Sequence, residues 1–174
     1  MPKQILLIDD STFILDTVSK FIETAGYKVF TALDGEQGIQ IAIKEIPDLI
    51  LCDVNMPGLS GFDVIEQIRT NKITASIPFI FLTALAEKEV MREGMIKGAD
   101  DYLTKPFKKQ ELLDAINAQW KRNARIAAIV DTRMKEIFNL FEKKIAGQIN
   151  DLFDQIRTIE KKYHNMEDIN NKIL

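Results

Sequence analysis

Short apolar runs alternate with amphipathic stretches along the first two thirds of the chain. Three of them, QILLI at 4–8, LILC at 49–52 and IPFIFL at 77–82, are bounded by polar or turn residues. Runs of this length are too short for helices and are typical of buried strands. YKVFTA at 27–32 alternates and predicts a strand nearer an edge, and DYL at 101–103 predicts a very short fifth strand.

Helical patterns with apolar residues three and four positions apart lie between these strands. The predicted helices cover 12–25, 35–46, 62–70 and 86–97. Ser11 is placed to cap the first of them, and Gly26 is placed to end it. Regular alternation of strand and helix predicts an α/β fold with a doubly wound, five-stranded parallel sheet covered on both faces.

The pattern changes after Pro106, because the rest of the chain has no proline and only one glycine, Gly147. Apolar residues at steps of three and four predict that the last helix of a domain at 1–120 continues as a coiled-coil extension at 121–174. Its seam is predicted to comprise Ala127, Val130, Met134, Ile137, Phe141, Ile145, Ile149, Leu152, Ile156, Ile159, Tyr163, Met166 and Ile173. Between Ile137 and Ile149 every step is four residues, which should locally unwind a left-handed supercoil.

Three arrangements of this extension are compatible with the spacing. It could pair with a second copy as a parallel homodimer, fold back on its own domain as one long helix, or form a helical hairpin that turns near Gly147. We favour the homodimer because two good stretches of seam spacing are a moderately specific signal. The sequence stops at NNKIL without a capping glycine or proline. We expect either that an effector domain follows the helix or that the helix ends there in a frayed terminus.

Composition points to a soluble protein, with 46% hydrophobic and 28% charged residues. No apolar run approaches the roughly 20 residues that span a bilayer, so we expect no membrane contact. The start, MPKQILLIDD, does not read as a signal peptide. A single cysteine, Cys52, excludes an internal disulfide bond and favours a reducing, cytoplasmic location.

The charge is unevenly distributed between the two parts of the chain. Residues 1–106 carry 10 basic and 16 acidic side chains, a net charge of −6, and residues 107–174 carry 13 and 10, a net charge of +3. The second part is only slightly basic and shows no helix-turn-helix break or dense basic region. We therefore expect this fragment not to bind nucleic acid.

Polar residues follow four of the predicted strands: Asp9 and Asp10, then Asp53, then Thr83 and Ala84, then Lys105 and Pro106. The carboxyl ends of parallel strands meet at one edge of the sheet, so these residues are expected to converge. A hard divalent cation, Mg²⁺ or Mn²⁺, would relieve the repulsion between three carboxylates. An aspartate beside such a cation can form an acyl phosphate. Lys105 could hold the phosphoryl group as a point charge.

Four sequence pieces in order, LLIDDS, LILCDVNMPGLSGFDVI, FLTA and GADDYLTKPF, resemble the receiver domain of two-component response regulators. The resemblance covers residues 3 to about 120 and implies a flavodoxin-like, CheY-like fold. It also implies that Asp53 is the phosphoacceptor. The implied metal ligands are Asp10, Asp53 and the backbone carbonyl of Asn55, with Asp9 acting through a water.

The same resemblance implies that Thr83, Ala84 and Lys105 surround the phosphoryl group and that Thr83 and Tyr102 form a switch pair. A cis bond between Lys105 and Pro106 is implied as well. The expected phosphoryl donor is a histidine kinase or a phosphotransfer protein, and the only chemistry expected of the chain is its own phosphorylation and dephosphorylation. The output is expected to pass through the fourth helix, fifth strand and fifth helix to the coiled coil.

Two other functions are compatible with residues of these types. The chain could be a passive scaffold in which the coil dimerises and the receiver does not respond. It could also be a phosphatase of the haloacid dehalogenase type, which uses an aspartyl nucleophile, Mg²⁺, threonine and lysine. That family places its two key aspartates two residues apart after the first strand, whereas Asp9 and Asp10 are adjacent.

Overall fold

The computed structural model describes the backbone of residues 2–84 and 88–173, and the side chains of residues 2–84 and 92–162. Strands and helices alternate along the chain, as the hydrophobic pattern predicts. The elements are β1 (Gln4–Ile8), α1 (Thr12–Glu23), β2 (Lys28–Ala32), α2 (Gly35–Glu45), β3 (Leu49–Asp53), α3 (Gly61–Thr70), β4 (Phe79–Thr83), α4 (Lys88–Ile96), β5 (Asp101–Thr104) and α5 (Lys109–Ile173).

The five strands form one parallel sheet in the order β2-β1-β3-β4-β5. Strand β1 pairs with both β2 and β3, so that Ile5 lies beside Val29 on one side and Leu49 on the other. All five residues of β3 and of β4 are buried, whereas β2 at the edge is half-exposed. The doubly wound α/β fold and the edge position of 27–32 are therefore confirmed.

Side chains of the sheet alternate between two apolar layers, as the period of a strand requires. Leu6 and Ile8 of β1 lie in a layer that includes Ile65 of α3. Ile5 and Leu7 lie in the opposite layer, which includes residues of α1 and the first turns of α5. Helices on both faces explain why the central strands are continuous apolar runs rather than alternating ones.

Some element boundaries differ from the predicted ones for local reasons. Helix α1 ends at Glu23 rather than at residue 25, because the Thr24 hydroxyl donates to the Lys20 carbonyl and Gly26 adopts a positive φ of 89°. Strand β4 begins at Phe79 rather than at Ile77. Of the helix predicted over 86–97, residues 86 and 87 lie outside the described part.

The chain divides into two units, Met1–Arg122 and Asn123–Leu174. The second unit is helical as far as Ile173, so the alternative of a hairpin turning near Gly147 is wrong. From Asn123 to Lys162 every described side chain is exposed, including the seam from Ala127 to Ile159. The seam residues Tyr163, Met166 and Ile173 have side chains outside the described part. In the part of the chain that is described, no helix is long and apolar enough to cross a membrane.

Candidate functional site

Strand β3 carries Asp53 to the carboxyl edge of the sheet, where the residue is only 7% exposed. The chain then turns through Gly58, which has a positive φ of 78°. It returns at once to the strand end, because the Gly61 amide donates to the Val54 carbonyl over 2.9 Å. A β-carbon on Gly61 would lie 2.9 Å from the Val54 Cα and closer still to the Asp53 carbonyl oxygen. Only glycine fits this return, which begins α3 directly beside Asp53.

One ammonium group joins two buried carboxylates at this edge. The Lys105 Nζ lies 2.7 Å from Asp53 Oδ1 and 2.6 Å from Asp9 Oδ2. Asp9 is 1% exposed, and its other oxygen accepts a hydrogen bond from the Ser11 amide over 3.0 Å. The Lys105 backbone amide donates to the Thr83 carbonyl over 2.7 Å, which ties the lysine to the end of β4. The structure therefore brings together residues that lie far apart in sequence on the ends of β1, β3 and β5.

Burial and charge oppose each other at these groups. Burial raises the pKa of Asp53, and the neighbouring carboxylates Asp9 and Asp10 add to this rise, while the hydrogen bond and charge of Lys105 act in the other direction. For Lys105, burial acts to lower the pKa, but hydrogen bonds to Asp53 and Asp9 and their negative charges outweigh it, so its pKa is raised. Lys105 is thus firmly cationic, and Asp53 holds a proton more tightly than an exposed aspartate.

Cys52 precedes Asp53 and is completely buried on β3. Its pKa is raised well above the ordinary thiol value, first by burial and then by the charges of Asp53 and Asp9. Because the thiolate is the reactive form of cysteine, this side chain has the character of a small core residue.

The remaining predicted site residues lie at the same edge of the sheet and differ in how exposed they are. Asp10, Asn55 and Ala84 are exposed. Thr83 ends β4 and is 2% exposed, whereas Tyr102 on β5 is 39% exposed. A cavity of about 10 Å³ is lined by both Thr83 and Tyr102, and by Met95 of α4 among others. The peptide bond between Lys105 and Pro106 is cis.

The oxygen atoms at this edge have the chemistry that a small divalent cation requires. The ammonium between Asp9 and Asp53 shows that the two carboxylates already accommodate one cation. Among the described residues, no group of three or more His, Cys, Asp and Glu is arranged around a common metal position. Mg²⁺ is usually held by one or two carboxylates together with waters and phosphate oxygens. The residues present therefore fit Mg²⁺ better than a metal that needs a full set of protein ligands.

Two features of the fold are not predicted above from the sequence. Ser60 and Asp63 form a reciprocal capping box at the start of α3, with the Ser60 amide donating to Asp63 over 2.9 Å. The Ser-x-x-Asp spacing was a usable signal for it. Arg69 donates to the carbonyls of Ala75, Ile77 and Gly98 and pairs with Asp100 over 3.0 Å. No local pattern marks Arg69, because its partners Gly98 and Asp100 lie 29 and 31 positions away.

A family model described as the response regulator receiver domain matches residues 5–117. The DNA-binding dual master transcriptional regulator RpaA of Synechocystis is 44% identical over 72% of this chain and 52% of its own length. The phosphate regulon transcriptional regulatory protein PhoB of Pseudomonas aeruginosa is 37% identical over 69% of this chain and 52% of its own length. The chain thus spans about half the length of these relatives.

Solved structures with the same fold match the first part of the chain. The chemotaxis protein CheY4 of Vibrio cholerae has a TM-score of 0.66 and 35% identity, covering 68% of this chain and 98% of that one. A response regulator receiver domain protein from Clostridium thermocellum has a TM-score of 0.66 and 33% identity, covering 71% of this chain and 98% of that one.

Proposed function

This chain belongs to the response regulator receiver family, and from that premise we propose that Asp53 accepts a phosphoryl group from a histidine kinase or a phosphotransfer protein. The observation that carries the proposal is the pair of contacts from Lys105 to Asp53 and Asp9 at the end of a buried strand. An Asp53 oxygen attacks phosphorus while the bond from phosphorus to the donor's histidine nitrogen breaks. The bonding pair stays on that nitrogen, and the imidazole ring carries or takes up one proton from solvent. The products are then an acyl phosphate on Asp53 and a neutral imidazole on the donor.

The ligands proposed for the cation are Asp10, Asp53 and the backbone carbonyl of Asn55, with Asp9 acting through a water. When bound, Mg²⁺ or Mn²⁺ would neutralise the charge that develops on the phosphoryl oxygens. Lys105 supplies a second positive charge and holds the group as a point charge. Because Lys105 is bonded to Asp53 before transfer, its ammonium needs only a short movement to reach the new phosphoryl oxygens.

The phosphoryl group then acts as a switch through Thr83 and Tyr102. It adds a charge of about −1.5 to −2 at neutral pH, which would draw the Thr83 hydroxyl toward it. Tyr102 is 39% exposed and can turn inward behind Thr83. The cavity of about 10 Å³ at this place has room for roughly one water. A tyrosine ring is larger, so Met95 and helix α4 must move as Tyr102 enters.

We propose that this change at α4, β5 and α5 is passed to the extension beyond residue 120, which pairs as a parallel homodimer. A further effector domain could follow, since the chain spans about half the length of its curated relatives. The chain described here would bind neither nucleic acid nor membrane, and we place it in the cytoplasm. Its own chemistry would be limited to forming and losing the acyl phosphate.

A passive receiver and coil scaffold is the remaining alternative. The buried Asp53 and its contact with Lys105 favour the responsive receiver. The family match also leaves the haloacid dehalogenase alternative without support.

Incubation of the chain with Mg²⁺ and a small phosphoryl donor such as phosphoramidate, followed by intact-mass measurement, tests the proposal directly. We expect the mass gain of one phosphoryl group, which is absent in Asp53→Asn and retained in the matched variant Asp16→Asn, at an exposed position on α1. Unmodified protein under these conditions would contradict the responsive receiver and favour the scaffold.

A further inference from the structure

The apolar face of the extension is wider between residues 126 and 141 than a two-stranded coil needs. A coiled-coil seam uses two positions in every seven. Beside the seam, four more residues are apolar and 53%, 54%, 63% and 69% exposed: Ile126, Ile129, Phe138 and Leu140. At about 100° per residue, the apolar side chains of this segment cover roughly half of the helix circumference. Pairing of two helices along the seam would leave much of this surface in water.

The extra apolar residues flank the seam on both sides. Ile126 and Leu140 each come directly before a seam residue, Ala127 and Phe141, and Phe138 comes directly after Ile137. In a two-stranded coil these flanking positions usually carry charged residues.

Two charged residues, Asp131 and Arg133, also occupy flanking positions in this segment. The stem of Arg133 can lie along apolar surface while its guanidinium stays in water. The two charged residues therefore interrupt the apolar flanks but still leave apolar surface on both sides of the seam.

The seam residues themselves change type along the helix. In the first segment the β-branched residues Val130 and Ile137 occupy the seam position that is leucine in parallel dimers. Further along, Ile149 and Ile156 alternate with Leu152 in the arrangement that favours two strands, and only Ile159 is β-branched at the leucine position among the described seam residues there. The flank that holds Ile126 and Leu140 becomes polar, with Gln148 and Gln155 at the equivalent positions, while Phe153 remains apolar on the other flank.

We propose that two parallel dimers of this chain associate through residues 126–141, which gives four helices in that segment and a two-stranded coil from Ile145 onward. The inference rests on the proposed homodimer and adds a second contact to it. A second pair of copies is the occupant that fits best. The apolar flanks of the second dimer have the same composition as the flanks of the first dimer that they would cover. The wide apolar face is also continuous with the seam.

Light scattering on the full chain tests the stoichiometry. We expect four times the mass of one chain for the wild type and a twofold lower mass for Ile126→Lys/Leu140→Lys. In a parallel dimer, a lysine at position 126 would face Asp131 of the second chain. A lysine at position 140 could lay its stem along the apolar flank with its ammonium in water, so the pair itself should tolerate both changes. The matched control Ala128→Lys lies away from the apolar face and should keep the mass of four chains.

Each other result has a distinct meaning. A wild-type mass of two chains would overturn the four-helix contact and leave the proposed homodimer standing. A mass of one chain would overturn both, and a mass of three would contradict pairing of dimers. A mass of four chains that survives the double lysine variant, or a fall to one chain in that variant, would show that Ile126 and Leu140 do not form the contact between dimers.

Discussion

The Lys105 ammonium lies 2.7 Å from a carboxylate oxygen of Asp53, although 52 positions separate the two residues. The contact is possible because β3 and β5 are parallel and both deliver their carboxyl ends to one edge of the sheet. It gives a mostly buried carboxylate a fixed positive partner. In this resting arrangement Lys105 balances the charges of Asp53 and Asp9 at the place where a phosphoryl group would add more negative charge.

Replacing Lys105 by methionine should destabilise the folded protein at neutral pH. Asp9 and Asp53 would then be left close together, largely buried and without their positive partner. We expect a loss of roughly 1 to 3 kcal/mol in the free energy of unfolding, below the range for fully buried pairs because Lys105 is partly exposed. Urea denaturation at pH 7 measures it.

Two further variants separate this explanation from general damage. Lys44→Met removes a lysine whose side chain is 81% exposed and should change stability little. Asp9→Asn added to Lys105→Met removes one of the two repelling charges and should recover part of the loss. A double variant that is as unstable as Lys105→Met, or less stable, would argue against charge repulsion as the cause.

The raised pKa of Asp53 predicts an unusual pH dependence of stability. Because burial raises this pKa in the folded state, the folded protein binds more protons than the unfolded chain from about pH 4 up to the raised value. Stability therefore falls as pH increases through that window. In the variant Asp53→Asn this contribution is absent, so the variant should gain stability relative to the wild type as pH rises from 4 to 7.

Free energies of unfolding of both proteins, measured in urea at several pH values in metal-free buffer, provide the test. The contributions of other titrating groups to the free energy of unfolding largely cancel when the two proteins are compared. The contribution from the raised pKa of Lys105 is lost only in the alkaline range. A difference that is flat, or that moves in favour of the wild type as pH rises, would show that Lys105 outweighs burial at Asp53.

The strands and helices could be predicted from the sequence, and so could the edge of the sheet at which the site residues meet. Both depend on the local pattern of apolar and polar residues. A buried run such as 49–52 indicates a strand, and its last residue must lie at the carboxyl edge. The direct bond between Lys105 and Asp9 could not be predicted, because side-chain geometry across 96 positions leaves no trace in spacing. Which of the two adjacent aspartates, Asp9 or Asp10, is buried depends on how β1 ends, and the spacing does not show it.

Two glycines offer a matched pair of alanine substitutions with opposite expected effects. A β-carbon at Gly61 would press against the backbone of Asp53 and Val54, whereas one at Gly147 meets no atom within 4 Å. Gly61→Ala should therefore cost about 1 to 3 kcal/mol of stability and slow phosphorylation by displacing Asp53. Gly147→Ala lies in a helix interior and should stabilise the extension by up to about 1 kcal/mol.

Thermal unfolding followed by circular dichroism, with phosphorylation measured by intact mass, tests both substitutions. Equal stability of Gly61→Ala and wild type would mean that the turn after β3 can relax without moving Asp53. A lower midpoint for Gly147→Ala would show that Gly147 has a packing role in an assembly that a single chain does not reveal.

Added Mg²⁺ should stabilise the folded protein, and this effect should depend on Asp10. A ligand that binds only the folded state raises stability in proportion to the logarithm of its concentration above its Kd. Asp10 is the exposed acid beside the buried Asp9, so its carboxylate can take part in binding without first breaking a buried pair. Asp10→Asn should lose most of the Mg²⁺-dependent rise in midpoint, whereas Asp16→Asn, at an exposed position on α1, should retain it.

The same titration distinguishes a specific site from general screening of charge. Screening would raise the midpoints of wild type, Asp10→Asn and Asp16→Asn alike, and an equal ionic strength of NaCl would reproduce it. A specific site predicts a rise with Mg²⁺ that NaCl does not give and that Lys105→Met increases, because removing the ammonium leaves the acidic cluster more strongly attractive to a cation. If Mg²⁺ stabilises Asp10→Asn as much as wild type, the metal is held without Asp10, and the proposed ligand set is wrong.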